Sequence, residues 1–94
     1  MTNTLVYLHN HVADHLKKLG QQAPIEVFLG RLQSNPEIVG NYRFADPRGR
    51  TIEVKILGRH AIFFFRDSYA NVVKILDLRN VESLWNPLSF QGLI

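Results

Sequence analysis

The densest set of reactive side chains is His9-Asn10-His11-Val12-Ala13-Asp14-His15. On a helix, His11 and His15 stand one turn apart, the spacing at which two imidazoles share a metal ion. The zinc hydrolase pattern also needs a glutamate directly after the first histidine as general base, and Val12 stands there. His9 falls on the far flank of the same helix, so three imidazoles do not converge. The blander reading is a histidine-rich helix face beside the core, with no metal and no cofactor expected.

A second set is basic. Arg43, Arg48, Arg50, Lys55, Arg59, Arg66, Lys74 and Arg79 all fall within residues 41–81, and arginine outnumbers lysine seven to four over the chain. Arginine suits bidentate capture of phosphate or carboxylate. Arg43, Lys55, Arg59 and Arg79 lie on or beside neighbouring strands, which sit about 4.8 Å apart. Sharing a face, they would form a phosphate-sized concavity, with Tyr69 or Trp85 available to stack on a base. Such a site could orient a ribose 2′-hydroxyl for attack on its own phosphate while guanidinium groups steady the developing charge. Otherwise each is a solvated strand charge that blunts a sheet edge.

Other chemistries find little support. There is no cysteine, and so no disulfide, thiolate site or cysteine nucleophile. Glycine-rich phosphate loops are missing. Glu53, Asp67 and Asp77 alternate with basic residues as strand-surface charges do. Serines 34, 68, 83 and 89 have no histidine–acid partner readable nearby.

The elements that must position these groups follow from hydrophobic rhythm. Leu5, Leu8, Val12, Leu16 and Leu19 form a helical stripe over 3–19, stopped by Gly20. Alternatively, residues 4–8 (TLVYL) form a short strand ahead of a shorter helix, as their β-branched and aromatic content allows. Pro24 opens a second helix over 24–33, with Ile25, Phe28, Leu29 and Leu32 on one face. The connection at 20–23 makes the pair a helical hairpin. From Val39 the period changes to two, giving strands at 39–45, 50–57, 60–66 and 71–78. Asp46-Pro47-Arg48-Gly49, Gly58-Arg59 and Asp67-Ser68-Tyr69-Ala70 supply the hairpin turns. In the third run, Ile62 and Phe64 oppose Ala61, Phe63 and Phe65, so it belongs in the middle of the sheet. The expectation is an α+β fold: a two-helix hairpin on a four-stranded antiparallel meander, with an optional extra N-terminal strand.

With 94 residues the chain makes one domain, in which 82–94 form an apolar C-terminal tail that packs on the open sheet face or meets a partner chain. The net charge of +3 and the arginine excess favour a polyanionic partner, either nucleic acid or an acidic polypeptide. The N-terminus lacks the basic start and apolar run of a signal peptide, and no stretch approaches the roughly 20 apolar residues of a membrane span. A cytoplasmic location without membrane contact is expected.

The order of elements, the helix ending Leu16-Lys17-Lys18-Leu19, the phrase Leu32-Gln33-Ser34-Asn35-Pro36 and the succession IEVKILGRHAIFFF…NVVKILDLRNVESLW together resemble the RelE/ParE toxin superfamily of type II toxin–antitoxin modules. The resemblance runs from about Leu5 to Trp85. It implies a helical hairpin on an antiparallel sheet, often after a short first strand, and a small acidic antitoxin as partner. In ribonuclease members a basic set and a C-terminal tyrosine or histidine cleave mRNA on the ribosome without a metal. By this resemblance Arg79 matches the arginine that ends the last strand and Lys55 the basic residue before the conserved glycine, here Gly58, while Arg59 falls out of register; Lys55, Arg59 and Arg79 are the expected catalytic set, and the basic excess adds Arg43, Arg48 and Arg50, with Trp85, as the expected RNA or partner-binding residues. Two positions depart from the pattern: Ala61 stands where an arginine is usual, and Trp85, whose indole exchanges no proton, stands near the usual tyrosine. The ParE-like branch, which inhibits DNA gyrase by binding, shares the fold. The alternative is a non-catalytic module that forms a homodimer through its sheet and tail.

Overall fold

Leu5-Val6-Tyr7-Leu8 lies extended as β1 (Leu5–Leu8), paired parallel with the last strand through Leu5↔Val72 to Leu8↔Ile75. The computed structural model describes residues 4–20 and 23–81. The long-helix expectation for 3–19 is thereby corrected. The apolar residues at 5–8 satisfy their backbone groups in a ladder, and α1 (Asn10–Leu19) begins only after His9, whose carbonyl accepts from the Val12 and Ala13 amides. Gly20 ends it with φ of 74°, a conformation that costs glycine little.

The second helix, α2 (Ala23–Ser34), buries Ile25, Phe28 and Leu32, the face expected from their spacing. Asn35 then accepts the Glu37 amide on its side chain at 3.2 Å, and Pro36 bars any return to helix. The remaining strands are β2 (Tyr42–Ala45), β3 (Thr51–Leu57), β4 (His60–Asp67) and β5 (Val72–Asn80). Their order is β1-β5-β4-β3-β2, so the fold is α+β with two helices and a mixed five-stranded sheet. A purely antiparallel, four-stranded sheet is therefore not what forms: β1 adds a parallel edge. As expected, β4 occupies the centre.

The two faces of the sheet carry separate cores. Ile62, Phe64, Val73, Ile75 and Leu78 meet the helices through Val12, Ile25, Phe28 and Leu32, with Phe28 edge-on to Phe64 at 5.6 Å. Ile52, Val54, Ala61 and Phe63 cluster on the opposite face. On the helix side of β3, Leu57 joins this core while Glu53 and Lys55 are polar. The site lies at the Glu53 end of that strand.

Candidate anion-binding cleft

Beyond the end of α2 the chain runs down as Pro36–Val39 and turns into β2, forming one wall of a cleft of about 500 Å³. Its floor is Thr51, Glu53 and Phe64, and its far wall is the β2–β3 turn with Arg48, Gly49 and Arg50. Arg43 from β2 and Arg66 from β4 complete the lining, so four arginines face two acids, Glu37 and Glu53.

Two of these arginines are held in place. Glu53 accepts the Gly40 amide at 2.9 Å and pairs with the Arg43 Nε at 3.4 Å. The close approach is possible because residue 40 has no Cβ: one built there would stand 2.5 Å from the Val54 carbonyl oxygen. Asn41 strengthens the same seam by accepting the Ile56 amide at 2.8 Å. At the turn, buried Asp46 accepts the Arg48 amide at 3.0 Å, the Arg50 amide at 2.8 Å and the Arg50 Nε at 2.6 Å. Burial by itself would raise the Asp46 pKa. Donation from the Arg50 amide and guanidinium and the Arg48 amide outweighs it and holds the carboxyl below the ordinary aspartate value. The Arg50 guanidinium in turn lies 5.2 Å from the Phe65 ring centroid. Neither Arg48 nor Arg66 has a carboxylate partner among the described residues.

Comparison with known proteins gives no anchor: no family model and no curated protein matches the chain.

Arg43, Arg48 and Arg50, expected to bind a nucleic acid or partner, come together in this cleft. Arg66 joins them, although its place in the third strand run marked it only as part of the general basic excess. The set Lys55, Arg59 and Arg79 does not assemble. Lys55 sits opposite Ile62 on the helix side, and Arg59 lies in the β3–β4 turn. Arg79 sits opposite Ala61 on the other side. The cause is a bulge in β5: Phe63 faces Asp77 while Phe64 faces Ile75, so Leu76 is an extra residue and every position after it changes face. There Arg79 donates to Asp77 at 2.6 Å and lies 5.8 Å from the Phe63 ring. Tyr69 projects fully into solvent from the β4–β5 loop, and Trp85 lies outside the described residues.

The histidines have structural work. The His15 Nδ1–H donates to the Leu78 carbonyl at 3.0 Å, and His11 Nε2 lies 3.6 Å from Asp77. His15 thereby ties α1 to the stretch of β5 that extends beyond β1, and His11 stands beside the same stretch. No cluster of three metal-ligating side chains exists among the described residues. Nor is any helix there long and apolar enough to cross a membrane.

Chemically, the cleft offers fixed positive charge and donors. A guanidinium does not accept a proton at physiological pH, and Glu53 is committed to Gly40 and Arg43. Such an arrangement suits an anion, and the carboxylates in its lining are Glu53, so committed, and Glu37.

Proposed function

We propose that this protein is a toxin-like component of a type II toxin–antitoxin module, similar to RelE/ParE proteins, and that it acts by gripping the phosphate backbone of RNA in the arginine cleft. The observation that carries this reading is the gathering of Arg43, Arg48, Arg50 and Arg66 in one cleft at the Glu53 end of β3. The Arg43 guanidinium is pre-oriented by Glu53, which lowers the ordering cost of binding. Arg48 and Arg66 have no carboxylate partner among the described residues and meet phosphate at full charge. Support for the toxin-like half comes from element order: a short strand, two helices and then antiparallel strands, as the family resemblance implies.

Induced expression tests both halves. The chain should arrest growth, and Arg48→Ala with Arg66→Ala should relieve the arrest while the purified variant keeps its circular dichroism spectrum. Harmless expression of the unaltered chain removes the toxin reading. Arrest that persists in the folded double variant removes the cleft from it.

A further inference from the structure

A carboxylate without a cationic partner opposes phosphate by simple charge repulsion, yet Glu37 lines the arginine cleft. Unlike Glu53, it forms no ion pair with any of the four guanidinium groups among the described residues. A cleft that met phosphate alone would bind it better with a neutral residue there.

The wall that carries Glu37 is held in shape. Pro36 fixes its own φ. The Asn35 side chain accepts the Glu37 amide at 3.2 Å, and the Asn35 carbonyl accepts the Ile38 amide at 3.3 Å. Ile38 packs against the helix-side core, while Val39 is 54% exposed. The cleft therefore has two unlike sides: an apolar wall with one acid, and the turn that bears Arg48 and Arg50. Its volume of about 500 Å³ falls within the roughly 300–1,000 Å³ of small-molecule sites, more than a phosphate group fills.

A nucleotide has the same two-sided chemistry, an anion at one end and a flat base with a polar edge at the other. A carboxylate accepts through two oxygens and donates nothing. Among the RNA bases, guanine alone sets two donors side by side for it, the N1–H and the 2-amino group. Cytosine and adenine offer one amino donor beside an acceptor, and uracil one imino donor between two carbonyls that a carboxylate repels.

We propose that the cleft takes a guanine nucleotide unit of the RNA. The base lies beside the Pro36–Val39 wall and donates through its N1–H and amino group to Glu37, and the phosphate is held by Arg48 and Arg66. This rests on the cleft being a phosphate site and adds to it the base that is read there.

Fluorescence anisotropy of the full-length chain with labelled oligoribonucleotides compares a uridine tract with the same tract carrying one guanosine. The guanosine form should bind about tenfold tighter, within the range of one bidentate base contact. Inosine at that position, which keeps N1–H and lacks the amino group, should lose most of the gain. Glu37→Gln, at an exposed position, should weaken the guanosine form and strengthen the plain tract, since the charge that repels phosphate is gone. A merely structural role for Glu37 would move both oligomers alike. Equal affinity of the unaltered chain for two bound oligomers overturns the base assignment and leaves the phosphate reading standing. A guanosine preference that survives Glu37→Gln intact overturns it too. Binding of neither oligomer removes the RNA reading and this proposal together.

Discussion

Salt dependence gives the arginine cleft a quantitative test. Each phosphate neutralised on a single strand contributes about −0.7 to the slope of log affinity against log salt. Of the four cleft arginines, Arg43 and Arg50 are already matched by Glu53 and Asp46, while Arg48 and Arg66 have no carboxylate partner among the described residues. Two full charges predict a slope of about −1.4, a loss of about sevenfold in affinity between 50 and 200 mM salt. Arg48→Ala or Arg66→Ala alone should reduce the slope to about −0.7, a loss of about two- to threefold over the same range. The double variant should be nearly flat. Fluorescence anisotropy of a labelled single-stranded oligoribonucleotide, titrated at several salt concentrations, measures each slope. Lys55→Ala combined with Arg59→Ala is the control, since neither residue lines the cleft. If the Arg48 and Arg66 double variant keeps the parent slope while that control loses it, the cleft is not where phosphate binds.

Three further outcomes follow from individual contacts. Asp46 binds its proton more weakly folded than unfolded, so its stabilising contribution is complete above the unfolded value of about 3.9 and fades as pH falls through its lower folded pKa. Asp46→Asn, which does not titrate, should flatten the acid limb of stability measured by urea unfolding; an unchanged limb would refute that role. Gly40→Ala drives a methyl into the Val54 backbone and should cost about 1–3 kcal/mol, read from chemical denaturation, with weaker binding in the cleft because Glu53 loses its position. Arg79→Ala should cost about 1–2 kcal/mol through its lost bond to Asp77 and contact with Phe63, yet leave RNA affinity unchanged; a selective loss of binding without destabilisation would return Arg79 to the functional surface.

Much of this molecule is legible one residue at a time. Helical spacing of Ile25, Phe28 and Leu32 marks the buried face of α2, and alternation marks the division of β4 into Ile62 and Phe64 against Ala61, Phe63 and Phe65. Asp46-Pro47-Arg48-Gly49 announces its turn, because these residue types favour the required backbone angles and carry an acceptor for the loop amides. The contribution of Leu5–Leu8 was ambiguous for a physical reason. Four apolar residues fit either a helical stripe or a strand, and only a free edge on β5 to pair with decides between them.

The sequence by itself determined the second helix, the run of antiparallel strands after it, the central place of the phenylalanine-rich strand and the wealth of arginine, since each follows from local periodicity and residue type. The tertiary structure alone decided which arginines meet. A single extra residue at Leu76 turns Arg79 away from Lys55, and the cleft at the Glu53 end of β3 is where Arg43, Arg48, Arg50 and Arg66 gather. Side-chain direction on a strand alternates with every residue, so one bulge reverses all that follows it, and no local signal in the β5 sequence records where the partner strand will force it.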